Sequence, residues 1–176
     1  MAPNDLGSRR CRGTPSRALT LLQRADSIRP MNPVASEIEV RLFRDRDYAH
    51  LPELFAMLEP ELSGAVVISR IPAMLAQGWR CVGAYLGMDL VGMAGFSKRT
   101  HLFSGPVLYV ENVAVMPNWR ERGVGGRLME WIEKQARETG CLKVTLDVYA
   151  TNRSAQNFYI GRGYQPRGVH FVRDLA

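Results

Sequence analysis

From Ile38 to Phe43 apolar and polar residues alternate, the period of a half-buried strand. Tyr48, Leu51, Leu54, Phe55 and Leu58 then recur at helical spacing, with Asp45 or Asp47 available as a cap. A second short helix is predicted near Val66 to Gln77, where Pro72 should start or kink it. The apolar runs Trp79 to Leu86 and Leu90 to Lys98 flank Gly87-Met88-Asp89 and predict a hairpin, and Pro106 opens the next strand. Val124, Leu128, Ile132 and Ala136 lie four apart on one stripe of a helix that Gly140 ends. Beyond it, Leu142, Val144 and Leu146 predict the inward face of a strand, Asn152 to Arg162 a short helix, and Tyr164 to Val172 a closing strand.

Residues 1–35 break this periodicity with Pro3, Pro15, Pro30, Pro33 and scattered arginines, and read as a disordered or partly helical basic extension. Three origins fit it: a flexible tail, a start upstream of a true start at Met31, or an arginine-rich targeting segment, against which Asp5 and Asp26 count. Residues 36–176 are one domain's worth of chain. The net charge of +6 sits mainly in the extension, where six arginines face two aspartates, so the excess marks no nucleic-acid-binding face on the folded part. No run approaches the roughly 18 apolar residues of a membrane span. Cys11, Cys81 and Cys141 are too few and too far apart for a disulfide framework or a metal clip, which points to a reducing, cytoplasmic setting. His50, His101 and His170 are poorly spaced for a metal, and none is expected.

The chemistry concentrates where the strand ending in Val113-Ala114-Val115 runs through Met116-Pro117-Asn118-Trp119 into Arg120-Glu121-Arg122-Gly123-Val124-Gly125-Gly126-Arg127. Gly123, Gly125 and Gly126 let an anion approach the backbone, and the first-turn N–H groups of the following helix lack intrahelical partners. The helix start carries roughly half a positive charge, to which Arg120, Arg122 and Arg127 add full ones. A diphosphate is the expected ligand. No Gly-Lys-Ser/Thr follows, and the dinucleotide fingerprint would need glycine where Leu128 stands.

Arg-x-x-Gly-x-Gly from Arg120 to Gly125, followed by Asn152-x-x-Ala155-x-x-Phe158-Tyr159 and Gly163-Tyr164, resembles the coenzyme-A-binding and C-terminal signatures of the GCN5-related N-acetyltransferase (GNAT) family. The likeness covers roughly residues 38–173. It implies an α/β (α+β) GNAT fold, with a mixed, mostly antiparallel sheet of six to seven strands, a splayed central strand pair and about four helices. It also implies transfer of an acetyl group from acetyl-CoA to an amine in a ternary complex, with an amine-bearing small molecule or peptide as acceptor and a homodimer as the assembly seen in relatives. Neither nucleic acid nor membrane is expected as a partner. A CoA-binding domain without turnover, and a nucleic-acid module built on the basic extension, are the competing readings. The stretch Tyr109 to Asp147 has some likeness to glucosamine-phosphate acetyltransferases, but the acceptor half carries no comparably specific motif.

On this resemblance Val113, Ala114 and Val115 offer main chain to pantetheine, with the Val113 N–H as oxyanion donor. The amides of Arg122 to Gly126 hold the diphosphate, with Arg120, Arg122 and Arg127 beside it or serving only as a solvated cap. Tyr159 matches the general-acid tyrosine, its alternative being a core aromatic beside Phe158, itself read as core packing. Asn152 caps the last helix or reaches the cofactor. Glu111, expected on one face with Tyr109 and Val113, is the candidate general base; a half-buried carboxylate there equally suits a cationic substrate or solvent. His170 reads as a strand histidine or a second base, and Glu59, Glu61, Ser63 and Gly64 as a solvated loop or part of the acceptor pocket.

Overall fold

The computed structural model describes residues 37–175, and five strands within them form one sheet in sequence order: β1 (Glu39–Leu42), β2 (Arg80–Leu86), β3 (Asp89–His101), β4 (Gly105–Val115) and β5 (Lys143–Leu146). The first four pair antiparallel, and β5 joins β4 in parallel, as a strand returning through a crossover helix must. That helix is α3 (Val124–Glu138); α1 (Leu51–Ala56), α2 (Gly64–Ala76) and α4 (Arg153–Gly161) complete the set. The predicted extension over residues 1–35 lies outside the described residues.

Each face of the sheet buries its own apolar cluster. Val124, Leu128, Met129, Ile132 and Ala136 of α3 pack with Ala94, Phe96, Leu108 and Val110, whereas Leu51, Leu54, Val67 and Ile71 of α1 and α2 pack with Trp79, Met93 and Ala114. Gly92 permits the close approach of α3: a β-carbon there would lie 2.9 Å from both the Ala114 carbonyl oxygen and a Val124 methyl. On the other face Gly95 accepts the Trp79 indole, which would meet a β-carbon at 2.7 Å.

One irregularity governs the functional end. Along β3–β4 the pairs Phe96↔Val110 and Gly95↔Asn112 leave Glu111 as the extra residue of a β-bulge. The bulge reverses the alternation of β4, so Ala114 enters the α1–α2 cluster while Val113 and Val115 pack toward α3. Val113 therefore does not share a face with Glu111 and Tyr109, as unbroken alternation had predicted. Pairing between β4 and β5 stops at Val110↔Leu146, and the last five residues of β4 run on without a neighbour on that side.

Four expectations change. The sheet has five strands among the described residues rather than six to seven, because Tyr164 to Val172 forms none. Pro166 removes an N–H there, Gly168 interrupts the apolar pattern, and Val169, Phe171 and Val172 are all more than three-quarters exposed. Leu142 precedes β5 and lies mostly in solvent, beside Gly105 at the β3–β4 turn in place of an inward position. Of the two roles expected of Pro72, starting the helix is excluded: it sits inside α2, whose start is set by Ser63, its Oγ accepting from the Val66 N–H at 3.4 Å. Before α1 stands a separate 3-10 segment, Asp45–His50, in place of one continuous helix; Asp47 caps it from the third position, its carboxylate accepting from the N–H of the N-cap Arg44.

Asp47 is a buried anion. Its Oδ2 accepts from the Arg41 guanidinium at 2.7 Å and the Arg44 N–H at 2.8 Å, and Arg41 also lies 3.8 Å over the Tyr85 ring. The hydrogen bond from Arg41, against the opposing effect of burial, holds the carboxyl at about 2. A depressed carboxyl contributes stability above its unfolded value of roughly 3.9, lost as pH falls through the folded value. Asp47→Asn should cost about 1.5–3 kcal/mol at neutral pH, and its difference from wild type in denaturant melts should shrink between about pH 4 and pH 2.

Candidate functional site

Two features meet at the open end of the β4–β5 pair. The first is main chain. The Met116 N–H bonds the Val91 carbonyl, and the alternation of an antiparallel ladder then turns the backbone of Ala114 toward β3 and those of Val113 and Val115 toward the gap. The Arg120 Nε donates to the Val115 carbonyl from that side at 3.3 Å. The second is the start of α3. Gly123 is its N-cap at φ +88°, and the first bond into the helix runs from the Arg127 N–H to the Gly123 carbonyl at 3.0 Å. The N–H groups of Val124, Gly125 and Gly126 therefore precede any intrahelical acceptor. Glu121 also takes a positive φ, 60°, so this turn holds two left-handed residues and only one is glycine.

The three arginines take different positions. Arg122 lies 5.2 Å over the Trp119 ring, Arg127 pairs with Glu130 at 3.3 Å, and Arg120 folds back onto β4. Phe158, expected in the core, is about one-third exposed and lies against the first turn of α3, 3.4 Å from where a Gly125 β-carbon would stand.

Tyr159 is 9% exposed and packs edge-on between Phe158 and Tyr164, at centroid distances of 5.0 and 5.6 Å. Burial pushes its phenol up to about 12, so it stays protonated at any physiological pH. Its helix is held at one end by Asn152, whose Oδ1 accepts from the Ala155 N–H at 3.0 Å, and at the other by Glu133 of α3, which receives Arg162 at 3.2 Å and the Tyr164 hydroxyl at 3.1 Å. The Asn152 carbonyl side is thus spent on the cap.

On the opposite side of the sheet Glu111 is fixed by β3. Ser97 Oγ and Arg99 Nη2 both donate to Oε1, at 2.9 and 2.8 Å, leaving Oε2 without a protein partner among the described residues. Arg99 also stacks 3.8 Å over the Tyr109 ring, and the Tyr109 hydroxyl donates to Asp147, which His170 joins through Nδ1 at 3.2 Å. Burial, then the Asp147 hydrogen bond, raises Tyr109 to about 12. His170 is thus brought to Asp147 rather than to Glu111. Ser97, Arg99 and Asp147 were missed at the level of sequence. Counting back from the β3–β4 turn pairs Ser97 with Tyr109, but only the bulge brings Glu111 within reach of both Ser97 and Arg99.

Beside Glu111 and Asn112, α1 and α2 enclose a cavity of about 240 Å³ lined by Leu51, Phe55, Val67, Arg70, Ile71 and Trp79, among others. Leu62 contributes from the α1–α2 loop. Of the other loop candidates, Glu59 accepts from the Tyr149 hydroxyl at 2.8 Å, Ser63 is spent as the α2 cap, and Gly64 rests on Pro52. Cys81 is buried under this layer, and burial raises its thiol, which argues against a nucleophile. Among the described residues no cluster of three or more His, Cys, Asp or Glu could hold a metal ion, and no helix is long and apolar enough to cross a membrane.

The chain is 27% identical over 88 residues to an aminoalkylphosphonate N-acetyltransferase of Salmonella typhimurium, covering 49% of this chain and 57% of that one. It therefore spans little more than half the length of that relative. With an aminoglycoside N(6')-acetyltransferase type 1 of Acinetobacter genomosp. 13 the identity is 23% over 141 residues, 77% of this chain and 86% of the relative. The solved aminoglycoside N-acetyltransferase AAC(6')-Iy in complex with CoA shares the fold at a TM-score of 0.70 and 21% identity, over 79% of this chain and 95% of its own. The model of the Acetyltransferase (GNAT) family matches residues 51–164, a span that takes in the bulged strand, the glycine turn and Tyr159. The chain belongs to the acetyltransferase (GNAT) family.

Proposed function

We propose that this protein transfers an acetyl group from acetyl-CoA to a primary amine. The observation that carries this reading is the five-residue overhang of β4 past β5, with the unpaired amides of Val124 to Gly126 close after it in the chain. An unpaired strand edge suits the two amides of a pantetheine arm, and three free N–H groups at a helix start suit its diphosphate. The residues thus fit the cofactor: Val113 and Val115 would pair with pantetheine, and Arg122 to Gly126 would hold the phosphates, with Arg120, Arg122 and Arg127 adding charge. Bound acetyl-CoA supplies an activated thioester as acyl donor.

The remaining roles fall to side chains. Glu111, with Oε2 free, takes a proton from the incoming amine directly or through water; an amine nitrogen forms the new bond to the acetyl carbon as the carbon–sulfur bond breaks. The Val113 N–H, turned to the gap, serves the developing oxyanion, and Tyr159 donates to the departing sulfur. Amine acceptors of the kinds named for its relatives, aminoalkylphosphonates and aminoglycosides, come within this reading. A reducing, cytoplasmic setting and a homodimeric assembly belong to it as well, the latter checked by light scattering.

The test is titration calorimetry with CoA, followed by thiol release from acetyl-CoA in the presence of amines. No binding heat would remove the proposal. Gly123→Val gives a sharper version. At φ +88° a β-branched residue is strained by about 1–3 kcal/mol, and relief of that strain tilts the amides beside it. The KM for acetyl-CoA is expected to rise ~10-fold or more, with a much smaller change in the amine KM.

A further inference from the structure

Resting on the acetyl-transfer reading, we infer that the acceptor is a small amine on an apolar body that also bears one anionic group, a carboxylate or phosphonate, and that Arg70 selects it. Size is the first ground. The cavity beside Glu111 measures about 240 Å³, below the roughly 300–1,000 Å³ of pockets that enclose drug-sized ligands. A three-ring aminoglycoside would not be enclosed by it.

Lining is the second ground. Val67, Ile71 and Met74 present the inner stripe of α2, and Arg70 falls on the same stripe at i+3 from Val67 and i−4 from Met74. Leu51, Phe55 and Leu62 close the apolar wall. Such a wall rewards methylene or aromatic surface and gives a polyhydroxylated polycation nothing to bond.

Charge is the third. The cavity holds one carboxylate and one guanidinium. Glu111 is already bonded to Arg99 and Ser97, whereas Arg70 has no salt bridge or hydrogen bond among the described residues. A polycationic acceptor would meet Arg70 with Glu111 as the one carboxylate among the lining residues. The Asn112 side chain, also on the wall, makes no hydrogen bond within the described residues. The Trp79 indole N–H is covered and packs on Gly95, so Trp79 adds apolar surface to the wall. One anion thus has a cation and one neutral donor on the wall, while the amine has Glu111.

The test uses the full chain, acetyl-CoA and paired amines: ω-amino acids from β-alanine to ε-aminocaproate against n-alkylamines of equal chain length, p-aminomethylbenzoate against benzylamine, and kanamycin and spermidine as polycations. Thiol release should show kcat/KM at least ~10-fold higher for the anionic member of the best pair than for its anion-free counterpart, and higher than for either polycation. Arg70→Gln should shrink that preference ratio by ~10-fold, Arg70→Lys should recover part of it, and Arg70→Glu should invert it. Arg70 is exposed, so these variants are expected to fold, checked by unchanged CoA binding heat. A ratio that ignores all three substitutions overturns the role of Arg70, and best activity with kanamycin or spermidine overturns the inferred class while leaving acetyl transfer intact. CoA binding without thiol release for any amine overturns the transfer reading and this inference together.

Discussion

Replacing Tyr159 with phenylalanine is expected to lower kcat by ~10²-fold, equivalent to about 2.7 kcal/mol, with acetyl-CoA affinity nearly unchanged. The edge-on contacts with Phe158 and Tyr164 involve the ring and survive the substitution, so packing is kept and only the hydroxyl is lost. Its displaced pKa refines the role. A proton passed from a phenol at about 12 to a thiolate of ordinary affinity, near 8.5, would move uphill by roughly 5 kcal/mol. On the proposed reading, Tyr159 acts as a hydrogen-bond donor to the leaving sulfur, and the proton itself arrives afterwards from water. A charge-assisted bond of this kind is worth about 1.5–3 kcal/mol, which matches the expected loss. A pH profile checks the sign: Tyr159 remains neutral below its raised pKa, so between about pH 6 and pH 10 the wild-type rate shows no decline caused by its ionisation. Full activity in the Phe variant, or a basic limb that vanishes with it inside that range, would remove Tyr159 from this position.

Glu111→Gln should cost ~10²-fold or more in kcat/KM for the amine. The amide keeps an oxygen for Ser97 and Arg99, so the bulge and the strand pairing hold, while the free Oε2 becomes an NH₂ that can accept no proton. The split between constants identifies the role. If Glu111 takes the proton, kcat falls; if it only attracts a cation, the amine KM rises and kcat stands. Either change should leave CoA binding heat where it was, because Glu111 faces the α1–α2 side and the proposed cofactor contacts lie on the gap. Wild-type constants in this variant would make Glu111 a structural member of the Ser97–Arg99 pair and no more.

How much of this was legible beforehand depends on the range of the interaction involved. The α3 stripe, the Gly140 stop, the β2–β3 hairpin and the Asn152 cap are local and stand where the pattern put them. Gly123, a short step past the end of β4, is equally local: only a left-handed cap makes that turn without strain, and it is the cap. Failures occurred where partners are distant. Tyr164 to Val172 has a fair strand pattern, yet a strand exists only if another offers its edge, and β5 is four residues long. Alternation could not report the bulge, because no residue type marks Glu111 as supernumerary; the displacement of Val113 from the Glu111 face followed. Arg70 of α2 and Asn112 of β4 are far apart in the chain and share one cavity wall only through packing, so a motif search passes them by.

The extra residue in β4 acts as a phase shifter. With it, on the proposed reading, one stretch of five residues would serve two clients: carboxylate and amide toward the acceptor, valine main chain toward the cofactor. Excising Glu111 would leave Asn112 to Val115 on their present faces, because Asn112↔Gly95 and Val113↔Ala94 already pair with β3 in regular alternation; the carboxylate and the local bend of the strand would be lost together. Length, at this one point, is as much a specificity determinant as chemistry.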